Sequence, residues 1–145
     1  MTEVAFHFNA PDKLEYACRF VRKALRHEMR VAVMGVQEDL ERLDRMLWDM
    51  APTDFVAHCV GSAAGELVQA SPAVLTDDLQ LCPHREVLLN LGETVPAAFV
   101  EFGKVIEVVS LDDGDRAAAR GRWREYAAQG FDIVQHDLVV REDRQ

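Results

Sequence analysis

The sequence predicts an α/β domain built on a mostly parallel β-sheet with helices on both faces. Short apolar segments alternate with amphipathic helical segments along the whole chain, and this alternation is typical of strand–helix–strand units. The length of 145 residues is the usual size of one domain. Neither a repeat nor a linker interrupts the pattern, so we expect a single domain over residues 1–145.

The first half of the chain is predicted to contain three strands and two helices. Residues 3–9 form the first strand, and a helix capped by Asp12 follows it. Residues 30–34 form the second strand, followed by a helix over 37–50. The apolar residues of both helical segments recur at i, i+3, i+4 and i+7, which places them on one helical face. Residues 54–58 form the third predicted strand.

Further strands are predicted in the second half. Residues 73–75 indicate a short edge strand, and residues 86–91 and 104–109 indicate buried ones because they are nearly all apolar. Between the last two, Pro96 can open a short helix that runs through Phe102.

A final helix is predicted over 112–129. Gly130 follows it, at the position where glycine commonly ends a helix. Residues 131–134 and 138–140 are predicted to be extended.

The bulk composition limits the possible partners and the location. A net charge of −9 repels a phosphate backbone, so we expect no direct, strong nucleic-acid binding. No apolar run approaches the roughly 18 residues of a membrane helix, and the acidic N-terminus lacks a secretory signal pattern. Three cysteines without close pairing fit reduced thiols. We therefore expect a cytoplasmic protein without a membrane partner.

The motifs of catalytic α/β proteins are missing from the sequence. The run Gly61-Ser62-Ala63-Ala64-Gly65 is not followed by the Lys-Ser/Thr pair of a phosphate loop, and no G-x-G-x-x-G follows the first strand. No G-x-S-x-G turn is present either. We therefore expect no nucleotide-binding loop, no catalytic residues and no cofactor.

A metal site is also not expected. His58, Cys59, Cys82 and His84 are the residues that could be considered as zinc ligands. The first two are adjacent, so on a strand they point to opposite sides of the sheet.

The last helix carries the most informative charge pattern. Segment 115–129 has four Arg residues and two acidic ones, a charge of +2 in a negative chain. Five residues fall within a sector of about 100° on this helix. They are Arg116, Arg120, Trp123, Arg124 and Ala127. Guanidinium groups hold carboxylates bidentately and an indole offers apolar area, so the stripe suits an acidic peptide with an aromatic end. The alternative is that the arginines only solvate an outer face while Trp123 packs inward.

A second aromatic residue stands outside the apolar pattern of its helix. Trp48 lies about 120° from the leucine stripe of the second helix and shares its face with charged residues. It either packs under the following loop or anchors a protein partner. Phe55, seven residues later, could extend such a patch.

Several ordered segments together resemble one protein family. The segments are Leu43-Asp44-x-x-Leu47-Trp48, Phe55-Val56-x-His58, Val105-Ile106-Glu107-Val108-Val109 and Ala117-Ala118-Ala119-Arg120-x-Arg122-Trp123-Arg124-x-Tyr126, the last ending in Gly130-Phe131. Their set resembles the chi subunits of the bacterial DNA polymerase III clamp loader, over nearly the whole chain. The loop over 59–84 departs most from the family, and no role is transferred to it.

The resemblance implies a Rossmann-like domain without a nucleotide site, acting as a non-catalytic adaptor. It implies two partners: the acidic, Phe-ended C-terminal tail of the single-stranded-DNA-binding protein, and the psi subunit. Such an adaptor would link the clamp loader to coated single-stranded DNA. By position, the tail site would consist of Arg116, Arg120, Trp123, Arg124 and Ala127. Trp48 and Phe55 would belong to the psi-facing surface.

Two other functions stay open from the sequence. One is a small-molecule-binding domain or enzyme, which requires a deep pocket at the carboxyl ends of the strands. The other is a structural module whose partner is unrelated to replication.

Overall fold

A computed structural model describes residues 2–49, 58–60 and 72–138 of the chain. In this part of the chain, seven strands form one sheet. The strands are β1 (Glu3–Ala10), β2 (Val31–Met34), β3 (His58–Val60), β4 (Ala73–Thr76), β5 (Val87–Asn90), β6 (Lys104–Ser110) and β7 (Ile133–Asp137). The helices are α1 (Lys13–Arg26), α2 (Gln37–Asp49) and α3 (Asp113–Ala128), with 3₁₀ turns at Leu79–Leu81 and Ala97–Glu101.

The sheet is parallel throughout its described pairs and has the order β3-β4-β2-β5-β6-β1-β7. This confirms the predicted α/β class. One detail of the prediction is wrong: β4 is not an edge strand. All four of its residues are buried, because β3 pairs along its outer side and takes the edge position.

Helices cover both faces of the sheet, as predicted, and each face has its own core. Helices α1 and α2 bury Leu14, Val21 and Leu43 in one core, against sheet residues that include Ala5. Helix α3 buries Ala119 and Tyr126 in the other, against residues that include Val4 and Phe6. The alternation of Val4, Ala5 and Phe6 between the two cores follows from the two-residue period of a strand.

The helix ends match the capping signals in the sequence. The Asp12 side chain accepts a hydrogen bond from the Glu15 amide at 3.1 Å, which starts α1. After α3, Gly130 has a φ of 89°, and its amide donates to the carbonyl of Ala127. None of the described helices is both long and apolar enough to cross a membrane.

The connection after β1 is short, whereas the connections before and after β3 lie mostly outside the described residues. Only Pro11 and Asp12 join β1 to α1, so this turn has no glycine. The run Gly61–Gly65, Phe55 and most of the strand predicted over 54–58 lie outside the described residues; β3 begins at His58.

At the other end of the chain, β7 begins two residues later than the extended segment predicted from residue 131, and it continues to Asp137. Of the second predicted segment, only residue 138 is described.

Candidate functional site

A groove of about 500 Å³ runs beside α3 on the edge of the sheet that carries β1 and β7. Three exposed arginines form its helical side, spaced four residues apart: Arg116, Arg120 and Arg124. At 3.6 residues per turn this spacing keeps all three on one side of the helix. The rest of the lining is Phe6, Phe8, Val109, Ala119, Trp123 and Gln135. The structure thus brings four of the five residues of the predicted stripe into one groove.

The fifth residue, Ala127, is exposed and does not line the groove. Phe8 of β1 and Val109 of β6 line the groove together with Trp123 instead. An apolar notch near Trp123 is therefore formed by strand residues rather than by the next turn of α3.

Trp123 both packs inward and lines the groove, so the two interpretations of its position apply together. Its ring packs on Phe6, with ring centroids 5.1 Å apart and an angle of 55° between the planes. The residue is only partly buried and also lines the groove. One side of the indole therefore belongs to the core beneath α3, and another side offers apolar area beside the three arginines.

The N-terminus of α3 is held in place by two aspartates. Asp112 accepts a hydrogen bond from the Asp115 amide at 2.9 Å and caps the helix. The Asp115 carboxylate accepts from the Ser110 amide and hydroxyl at 2.8 and 2.9 Å and pairs with Lys13 of α1 at 3.0 Å. These contacts tie α3 to β6 and α1.

The same contacts set the ionisation of Asp115. Partial burial favours the neutral acid, but the Ser110 hydrogen bonds and the Lys13 ammonium outweigh it and lower the pKa of this carboxyl below its ordinary value. Asp115 is therefore an anion at neutral pH, and its charge also suits the N-terminus of a helix.

A buried polar cluster lies beneath α3 and was not foreseen from the sequence. Glu107 of β6 is 0% exposed and Arg122 is 2% exposed, and Arg122 Nε lies 2.9 Å from Glu107 Oε1. The other carboxylate oxygen accepts from the Tyr126 hydroxyl at 2.6 Å and from the Asn90 amide at 2.9 Å. Arg122 Nη1 donates to the carbonyl of Glu93 at 3.3 Å, whereas Nη2 has no hydrogen-bond partner among the described residues.

The cluster contains groups with shifted pKa values. Burial, the largest influence, raises the pKa of Glu107, while Arg122 and the hydrogen bonds from Tyr126 and Asn90 act in the opposite direction. Burial and the neighbouring Glu107 also raise the pKa of Tyr126. The cluster is enclosed by α3 and the sheet, so it positions the helix.

On α2, Leu40, Leu43 and Leu47 are buried, whereas Trp48 is 55% exposed. The predicted position of Trp48 away from the leucine stripe is thus confirmed. Phe55, its predicted companion, lies outside the described residues.

The groove beside α3 has the chemistry of a binding surface. Its described lining combines three guanidinium groups with aromatic side chains and includes no carboxylate. Guanidinium groups form charge-assisted hydrogen bonds with carboxylates, and the aromatic side chains can contact an apolar group.

A comparison with protein families matches residues 1–134 to the DNA polymerase III chi subunit, HolC. The chain belongs to the chi-subunit family. Two curated relatives carry the name DNA polymerase III subunit chi. The one from Pseudomonas aeruginosa is 30% identical over 143 residues, covering 95% of this chain and 98% of the relative. The one from Haemophilus influenzae is 26% identical over 122 residues, covering 82% and 83%.

Membership of the chi family gives the chain an accessory role in DNA replication. It also confirms the family resemblance seen in the ordered segments. In this chi-family chain, no group of three metal-binding side chains is found among the described residues.

The buried ion pair could have been found from the sequence by two signals. Glu107 stands inside the apolar strand Val105–Val109, where a carboxylate needs a partner. Arg122 lies at i+3 and i−4 from the inward residues Ala119 and Tyr126. This spacing places Arg122 on the inward face of α3, apart from the exposed arginines of that helix.

Proposed function

We propose that this chain is a non-catalytic adaptor of DNA polymerase III. It binds the acidic, Phe-ended C-terminal tail of the single-stranded-DNA-binding protein in the groove beside α3. The observation that carries the proposal is that Arg116, Arg120, Trp123 and Arg124 line one groove of about 500 Å³. Family membership supports the setting in replication.

The proposed mode of binding assigns a role to each part of the groove. The arginines neutralise the tail's aspartates, and one guanidinium pairs with the terminal carboxylate. The terminal Phe ring enters the apolar part of the groove beside Trp123 and Phe6, which are already in ring contact. The small charged contact is expected to have micromolar affinity and to weaken with salt.

A second surface would hold the psi subunit, with Trp48 as an exposed aromatic anchor. Phe55 is proposed as part of the same surface on the basis of the family resemblance. With both partners bound, the chain links the clamp loader to coated single-stranded DNA. Its net charge of −9 keeps the chain itself from binding DNA strongly.

The tail site is tested by fluorescence anisotropy with a labelled acidic peptide ending in Phe. Arg120→Glu is expected to weaken binding in the groove beside α3 at least about tenfold, the effect of losing one charge-assisted hydrogen bond of about 1.5 kcal/mol. Removing the terminal Phe should also weaken binding, and raising the salt concentration should do the same. Arg42→Glu, an equal charge change at an exposed residue of α2, is the matched control and should bind normally. Equal losses from both variants would contradict a site beside α3.

The psi surface is tested with Trp48→Ala. We expect this variant to lose co-purification with psi while its affinity for the tail peptide stays unchanged. Loss of both activities would show that the substitution acts through the fold.

A further inference from the structure

Helix α1 and the residue that follows it carry a row of basic side chains with the spacing found on α3. Arg19, Lys23 and His27 are exposed and follow one another at four-residue intervals, so they share one side of the helix. They border a groove of about 490 Å³. This groove lies on the face of the sheet opposite to α3, and Lys104 of β6 adds a further ammonium group to it.

The rest of the α1 groove is mixed: apolar side chains lie beside the polar rings of His7, Tyr16 and His136. The apolar residues that line it are Phe20, Ala24, Met29, Val87 and Leu138. The groove therefore offers the same two elements as the groove beside α3, basic side chains and apolar area, in nearly the same volume.

The two grooves are formed by alternate residues of the same strands. Phe6 and Gln135 line the groove beside α3, while the next residues, His7 and His136, line the α1 groove. The rings of His7 and His136 lie 4.6 Å apart, and His7 Nδ1 hydrogen-bonds to the Tyr16 hydroxyl. The grooves are therefore back to back, and β1 and β7 separate them.

The charges of the α1 groove favour an anionic occupant. Lys23 and Lys104 have no ion pair within the described part of the chain. Arg19 contacts Glu15 at 3.7 Å, but both side chains are more than half exposed, and such pairs are weak. Glu3 is the register partner of Lys104 but does not line the groove. The described lining includes no carboxylate.

We propose that the α1 groove is a second binding site for an acidic peptide segment with an apolar end. This inference rests on the proposed function, because the occupant is a second copy of the tail bound beside α3. The apolar area takes one ring, and the ammonium groups face the carboxylates. A nucleic acid is less suited, since its backbone would continue past the groove along a chain whose net charge is −9. Two sites on one chain would raise avidity for an oligomer that presents several tails.

The test is the stoichiometry of tail-peptide binding, measured by isothermal titration calorimetry at low salt. We expect two peptides per wild-type chain. Lys23→Glu/Lys104→Glu should reduce the number to one, and so should Arg120→Glu/Arg124→Glu. The four substitutions together should abolish binding, whereas Arg42→Glu should keep two sites. Circular dichroism checks that each variant is folded, and Lys23→Gln/Lys104→Gln replaces the first pair if it is not.

Each outcome separates this inference from the proposed function. One site per wild-type chain, lost only in the α3 variant, overturns the inference and keeps the adaptor proposal. One site lost only in the α1 variant supports the new groove and contradicts the α3 site, and no binding contradicts both. Displacement of the peptide from the α1 groove by a short oligothymidylate at similar concentration would overturn the inference in favour of nucleic acid.

Discussion

Glu107 fixes the rotation of α3 on the sheet. Its carboxylate takes hydrogen bonds from Arg122, Tyr126 and Asn90, so Arg122 and Tyr126 must face inward. Residues two positions from Arg122 point to the opposite side of a helix, at about 200°. The buried cluster therefore directs Arg120 and Arg124 outward to the groove, and one internal ion pair positions the residues proposed to bind the tail.

Glu107→Leu is expected to destabilise the protein by about 3–5 kcal/mol, because it leaves the Arg122 guanidinium buried without a counter-charge. Urea denaturation measures this loss. The double variant Glu107→Leu/Arg122→Met should recover most of the lost stability, because replacing both members of a buried ion pair by apolar residues is often neutral. In addition, Arg122 Nη2 has no hydrogen-bond partner among the described residues, so its removal costs no such bond. A single variant that loses less than about 1 kcal/mol would show that the pair does not hold the helix.

Tyr126 gives a pH test of the same cluster. Burial and Glu107 raise its pKa above the ordinary value, which is about 10. The unfolded chain therefore releases the Tyr126 proton from about pH 10 upward, whereas the folded chain keeps it. The free energy of unfolding that this buried hydroxyl contributes is present below about pH 10 and decreases as the pH rises above it. In Tyr16→Phe, Tyr126 is the remaining tyrosine of two. Its absorbance at about 295 nm should show no tyrosinate until the protein unfolds. Tyrosinate formation near pH 10 in the folded protein would contradict the buried hydrogen bond.

At the scale of elements, the sequence predicts what is local and misses what is long-range. Helix α3 could be placed from its ends, because Asp112 and Gly130 act on their own neighbours. The interior position of β4 could not, because it depends on pairing with β3, which lies more than ten residues earlier. The arginine row followed from helical periodicity, whereas the strand side of its groove, Phe8 and Val109, required the order of the sheet.

The cap of α3 can be tested by one substitution. Asp112→Ala removes the acceptor for the Asp115 amide and should cost about 1 kcal/mol of stability. Asp113→Ala is the matched control, because Asp113 is also exposed and acidic but is the first residue of the helix rather than its cap. This substitution should change the stability by no more than about 0.5 kcal/mol. Chemical denaturation of the two variants gives the comparison. Equal effects would mean that charge, rather than capping, stabilises this end.

At the scale of the whole molecule, the cationic groups that line the grooves contrast with a net charge of −9. The three arginines beside α3 and the row on α1 face grooves on opposite sides of one sheet. This distribution suits an adaptor that attracts acidic protein segments and repels the DNA that its proposed partner coats. The family match over residues 1–134 covers both grooves except for Gln135, His136 and Leu138.

The central claim is that the acidic tail occupies the groove beside α3, and Trp123 can report it directly. The chain has two tryptophans, so in Trp48→Phe the emission comes from Trp123 alone. Titration with the Phe-ended acidic peptide should then change Trp123 fluorescence saturably, and Arg120→Glu should weaken that change. Saturable anisotropy with no change at Trp123, together with a response of Trp48 in Trp123→Phe, would contradict the account, because the tail would then lie on the other aromatic surface.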